Sequence, residues 1–275
     1  MNYGRTSLRR RAKQLDARGT RIRHKIGVIL GKLLLIGIIV GGCATVSFGV
    51  GAFKGILASA PDISEVDVIP TGYSTKVLAA DGSETAKLVA AGSNRQYVTI
   101  DQIPENLQHA VVAIEDERFY DHNGIDLKGI VRALVADVRT RDFSQGASTL
   151  TQQLIKNNVL SEQWANENDS NISKMEKMER QVQRKIQEQY LAIELEKKVN
   201  DKNWILENYL NSINLGSNTL GVQAAAQRYF GKDVSKLTLS ECAVIAGITK
   251  NPAGYNPILH PKENAKRRKN VLDAM

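Results

Sequence analysis

The sequence predicts a mainly α-helical domain carried behind one membrane-spanning helix and a short β-leaning connector. Three observations predict it. Residues 33–53, LLLIGIIVGGCATVSFGVGAF, hold no charged side chain over 21 positions. From Pro104 onward, apolar residues recur at helical spacing, first as Leu107, Ala110, Val111 and Ile114, then as Leu127, Ile130, Val131, Leu134 and Val138. Only residues 68–100 lean toward strand: STKVLAADGSETAKLV forms two short runs about an Asp81-Gly82 turn, and RQYVTI follows.

The first 32 residues carry ten Lys/Arg and one acid, Asp16, which concentrates a charge of +9 in a tail that reads as polar and loose. The whole chain of 275 residues is only +8, so the remainder is close to neutral. A basic surface for nucleic acid is therefore not expected on the main domain. The apolar run that follows spans about 30 Å as a helix, the thickness of a bilayer's hydrocarbon layer. Arg5, Arg9, Arg10, Arg11, Lys13, Arg18, Arg21, Arg23, Lys25 and Lys32 all precede it. The positive-inside rule then places the N-terminus in the cytoplasm and residue 54 onward outside, a single-pass type II anchor in the cell membrane. A cleavable signal peptide and a lipoprotein site at Val40-Gly41-Gly42-Cys43 are the rival readings, and the apolar run is long for either. Gly37 and Gly41 could form a helix-dimer face, although glycine is common in membrane helices. Cys43 and Cys242 are the only cysteines, so the outer domain holds no disulfide and must rely on apolar burial.

The predicted organisation is a basic tail at 1–32, a membrane helix at 33–53, a connector at 54–100, a helical domain at 101–260 and the start of a linker at 261–275. Within the domain, SEQWANENDSNISKMEKMERQVQ at 161–183 reads as an exposed loop passing into a charged helix. Helices are expected over about 184–199 and 203–214, and NPAGYNP reads as a turn.

Three stretches could carry chemistry. In EDERFYDHNG, residues 115–124, Glu115 ends an amphipathic helix beside apolar groups, where a carboxylate is shifted toward neutrality and suits a general base. A plain helix-end carboxylate fits the same stretch. In GASTLTQQLIKN, residues 146–157, Thr149 and Gln152 match a capping box, so a helix begins there with free N–H groups that favour anions, and Lys156 lies one turn beyond Gln152. An ordinary capped helix fits as well. In RKIQEQYLAIELE, residues 184–196, Glu188 shares a stripe with Leu191, Ala192 and Leu195, and Arg184 and Lys185 sit one turn earlier. A surface ion pair is the alternative, in the poorer base-before-acid order. Two carboxylates on different helices with cations between them suit chemistry at an anomeric carbon. A diphosphate leaving group would need such cations or a metal ion rather than an acid.

These motifs resemble those of the peptidoglycan glycosyltransferases, glycosyltransferase family 51. EDERFYDHNG meets every fixed position of the first motif. GASTLTQQLIKN, RKIQEQYLAIELE, WILENYLN and ECAVIAGITKNPAGYNP resemble the second to fifth, in order, over residues 95–260. The resemblance implies a lysozyme-like, two-lobed glycosyltransferase domain with a membrane-hugging small lobe. It implies polymerisation of lipid II into glycan strands with inversion at C1 and release of undecaprenyl diphosphate, at the cell membrane and beside other cell-wall synthesis proteins. Glu115 would be the base. Glu188 would be a second catalytic carboxylate that orients the site or holds a divalent cation, Mg or Mn. Asp116, Phe119, His122, Ser148, Gln152, Gln153, Lys156, Arg184 and Lys185 would bind substrate or shape the site. The helix of 125–138 would touch either lipid or the core. The stretch between the second and third motifs is longer than expected for the family.

The connector VLAADGS…NRQYVTIDQIP resembles that of bifunctional class A penicillin-binding proteins. No Ser-x-x-Lys motif occurs, so the chain is expected to be a fragment of such a protein without cross-linking or β-lactam binding. A lytic glycosidase and a non-catalytic cell-wall scaffold are the competing functions.

Overall fold

The computed structural model describes residues 3–64, 68–88, 94–140, 146–165 and 172–275. Parts of the predicted connector (65–67 and 89–93) and of the predicted loop (166–171) lie outside the described residues.

Helix α1 runs from Tyr3 to Ala58 without a break. The tail expected to be loose is therefore helical. Its Arg, Lys, Leu and Ala residues favour helix, no proline interrupts it, and an adjoining apolar helix removes the cost of nucleation. Residues 22–58 form the one candidate membrane span among the described residues. From Ser59 onward the chain is a separate compact unit.

In that unit, β1 (Thr75–Leu78) pairs antiparallel with β2 (Glu84–Leu88). The predicted turn joins them, with Gly82 at φ +82° and the Asp81 carboxylate accepting from Ser83 N. RQYVTI does not extend this sheet. It lies against a later helix, where Val98 N donates to Asn211 Oδ1 and Asn211 Nδ2 returns a bond to Val98 O.

The helices are α2 (Glu105–Glu115), α3 (Leu127–Thr140), α4 (Leu150–Asn158), α5 (Lys174–Val199), α6 (Lys202–Ser212), α7 (Val222–Phe230), α8 (Leu239–Ile248) and α9 (Pro261–Ala274). Helix α5 starts ten residues before the predicted boundary at 184, because Ser173 caps it by accepting from Glu176 N. Residues 261–275, expected to begin a linker, instead form α9 with Pro261 in its first turn. This helix packs on α2 and α8, buries Val271, and is tied down by Asn264 Nδ2 donating to Tyr255 O at 2.7 Å.

One continuous apolar cluster holds the unit together. Helix α2 contributes Leu107, Ala110 and Val111 to it and lies against α8, a small-residue helix buried from Cys242 to Ile248. Helix α4 packs Leu154 and Ile155 against α5 and α6, which supply Leu191, Leu195, Ile205 and Leu206. The C-terminal ends of α2 and α8, α4 and the middle of α5 are thereby brought to one place. On α3 the predicted pattern is not all buried: Leu127 and Val131 are exposed, as is Val135, Ile130 is half-buried, Gly129 and Ala133 face inward, and the side chains of Leu134 and Val138 lie outside those described.

Candidate active site

A cavity of about 550 Å³ is a cleft lined by Ile114, Glu115, Ser148, Gln153, Lys156, Arg184, Lys185, Glu188, Thr249, Lys250 and Arg267 together with Gly146. Seven of the sequence-predicted residues therefore meet in one place: Glu115, Ser148, Gln153, Lys156, Arg184, Lys185 and Glu188. Four others, Asp116, Phe119, His122 and Gln152, do not line it.

Glu115 is the last residue of α2, and its side chain is 14% exposed. Its surroundings are more polar than the apolar setting expected from sequence. Gln153 Nε2 lies 3.1 Å from Oε2, Thr249 Oγ1 lies 2.6 Å from Oε1, and Arg267 Nη2 stands 3.9 Å from Oε1. The orientation of the Gln153 amide is fixed from behind, because Tyr209 Oη donates to Gln153 Oε1 at 3.1 Å. Tyr209 is fully enclosed. Burial, and next to it the Glu115 and Asp116 carboxylates, push its hydroxyl well above the ordinary tyrosine range, so it remains a donor.

Glu188 occupies the opposite wall, 2% exposed, one turn from its partners on α5. Arg184 Nη1 binds its Oε1 and Lys185 Nζ its Oε2, the latter at 2.9 Å. The poorer base-before-acid order is thus used where burial raises the value of the pair. Lys185 also donates to Ser148 Oγ at 2.6 Å and Gln152 Oε1 at 3.1 Å, so its three N–H groups are all engaged. Lys156 and Lys250, by contrast, have no hydrogen-bond or ion-pair partner among the described residues, and both face the cleft. With each oxygen of Glu188 already paired to a cation, a divalent ion there would have to sit against the positive charges of Arg184 and Lys185. No group of three His, Cys, Asp or Glu suited to a metal occurs among the described residues. The donor set does not fit a metal site.

The start of α4 differs from expectation in one respect. Thr149 caps it by accepting from Gln152 N, but Gln152's side chain turns to Lys185 instead of completing the box. The anion at this helix start is internal: Asp116 Oδ2 accepts from Leu150 N at 2.9 Å. His122 Nε2 binds the same carboxylate at 3.0 Å. Phe119 is wholly buried beneath, edge-on to Tyr120 and His122, with Lys202 Nζ 4.5 Å from its ring centre. Lys202 also donates to His122 O and pairs with Glu196, which accepts from Thr151. Gly124, at φ +89°, is required because a Cβ there would come within 2.6 Å of Ala192 O. The fixed positions 116, 119, 122 and 124 therefore build the support that aims Glu115.

Sequence reasoning missed Tyr209, Thr249, Lys250 and Arg267. Thr249 and Lys250 follow α8 within a quoted motif, ECAVIAGITKNPAGYNP, but no role was attached to them. Nothing local to Arg267 singles it out from its basic neighbours on α9.

A family profile described as "Transglycosylase" matches residues 81–275. Among curated proteins, Penicillin-binding protein 1A of Aquifex aeolicus (strain VF5) is 46% identical over 181 residues, covering 66% of this chain and 23% of that protein. Penicillin-binding protein 1A/1B of Bacillus subtilis (strain 168) is 37% identical over 244 residues, covering 88% and 24%. Penicillin-binding protein 1A of Clostridium novyi (strain NT) is 38% identical over 235 residues, covering 82% and 26%. The chain spans about a quarter of the length of these relatives.

Proposed function

The chain belongs to the transglycosylase family of the penicillin-binding proteins, and from that premise we propose that it is a membrane-anchored peptidoglycan glycosyltransferase that polymerises lipid II. The observation that carries the proposal is the asymmetry of one cleft. A single carboxylate, Glu115, is free of any close ion pair at one end, and five cations against two carboxylates line the whole. Glu115 takes the proton of the acceptor sugar's 4-hydroxyl. The freed oxygen attacks C1 of the growing chain from the face opposite the diphosphate, and the C1–O bond breaks with its electron pair leaving on the diphosphate. Lys156, Lys250 and Arg184 receive that charge. Glu188 holds Arg184 and Lys185 in place, and no step is routed through a metal ion.

A lytic glycosidase reading fits less well, because its leaving group carries no diphosphate and would not need the five cations that line the cleft. The exposed Leu127, Val131 and Val135 of α3 suit contact with lipid, which would hold the cleft near a substrate whose tail stays in the bilayer. Helix α1 would anchor the chain with its basic end in the cytoplasm. The partners are then lipid II, the growing strand, the membrane and other cell-wall synthesis proteins. The test is incubation of the purified chain with labelled lipid II, and separately with preformed glycan. Long strands from the first support the proposal; shortening of the second with no strands from the first overturns it.

A further inference from the structure

Arg267 belongs to none of the five sequence motifs, yet its guanidinium reaches the cleft. It departs from α9, and its aliphatic stem crosses α8 at Gly247, where an added Cβ would lie 3.2 Å from Arg267 Cγ. Its side chain is 12% exposed, with Nη2 3.9 Å from Glu115 Oε1 and Nε buried without a hydrogen-bond partner. A buried guanidinium with an unspent donor is costly and is seldom left so without a reason. Its placement is not loose, because Asn264 and Val271 clamp α9 on either side of it.

We propose that Arg267 is a positioning residue for the transfer reaction: it closes on Glu115 Oε1 when substrate fills the cleft and leaves Oε2 as the oxygen that takes the proton. This rests on the reading of Glu115 as the base. Oε1 already has Thr249 at 2.6 Å, and Arg267 is the second group able to claim it. Oε2 has one partner, Gln153, and so keeps a lone pair for the acceptor hydroxyl. Catalytic hydrogen bonds are commonly long before substrate binds and shorten afterward, which the 3.9 Å gap permits. Gly247 contributes by being small, since a methyl group there would push the stem by a few tenths of an ångström.

The test compares Arg267→Gln, Arg267→Lys, Gly247→Ala and Glu115→Gln in the full chain with lipid II, reading kcat, KM and thermal unfolding separately. The inference predicts that Arg267→Gln lowers kcat about 10- to 100-fold with KM changed less than about threefold, and that Arg267→Lys recovers much of the loss. Gly247→Ala should lower kcat several-fold with an unchanged melting temperature. Full kcat in Arg267→Gln beside an inactive Glu115→Gln overturns the inference and leaves the base in place. Equal loss of kcat and melting temperature in the Gln and Lys variants also overturns it, marking a purely structural residue. An active Glu115→Gln brings down the underlying reading itself.

Discussion

The carboxylate of Asp116 lies 2.9 Å from the backbone nitrogen of Leu150, 34 positions on, so the residue after the candidate base caps the helix that supplies Gln153 and Lys156. Two adjacent carboxylates thus have separate tasks. Glu115 faces the cleft, and Asp116, buried with His122, fixes α4 against the end of α2.

Asp116→Ala leaves Leu150 N and His122 Nε2 buried without their acceptor. We expect a loss of about 2–3 kcal/mol of stability, read from the unfolding midpoint, together with reduced polymerisation. Asp116→Asn should cost less, since its amide oxygen still accepts from Leu150 N.

Tyr209→Phe keeps the packing and removes the hydroxyl that orients Gln153. Freed to flip, the amide would present its oxygen to Glu115. One hydrogen bond of about 1 kcal/mol corresponds to a kcat loss of roughly 5- to 10-fold, with KM little changed. Steady-state kinetics of the variant check this.

The cations divide by what they hold. Lys156→Ala and Lys250→Ala remove side chains without internal partners that receive the leaving diphosphate's charge, so each should lower kcat/KM for lipid II about tenfold, kcat included, at unchanged melting temperature. Lys185→Ala breaks bonds to Ser148, Gln152 and Glu188 and should lower the melting temperature as well. Kinetics and thermal melts on the three variants separate the classes.

Asp126 sets the start of α3, accepting from Gly129 N and pairing with Arg118. Burial alone would raise its carboxyl, but the bonds from Arg118 and Gly129 outweigh it and hold the group below its ordinary value of 3.8. A depressed folded value means stability that is present above the ordinary value and lost as pH falls from 3.8 through the folded value. Melting temperatures measured between about pH 5 and pH 2 should therefore fall less steeply for Asp126→Asn than for the unaltered chain.

Much of this was legible in sequence because it is local. The helical spacing of Leu107, Ala110, Val111 and Ile114 gave α2, the Thr149 cap gave α4, and the Asp81-Gly82 turn gave the hairpin. The early start of α5 was readable too, since Ser173 and Glu176 stand at capping spacing ahead of a charged helix. The buried partners were not, because direction depends on tertiary contact. Gln152 and Gln153 are neighbours in sequence and about 100° apart on the helix, so one serves Lys185 and the other Glu115. Arg267 meets Glu115 only because α9 folds back over α8, and no local pattern encodes that return.

The central claim is that Glu115 removes the acceptor's proton. The most direct measurement is the rate of lipid II polymerisation by Glu115→Gln beside the unaltered chain, at saturating substrate and with folding verified by thermal melts. The account predicts a loss of at least about a hundredfold in kcat with the melting temperature preserved. A rate within about threefold of the unaltered chain would contradict it.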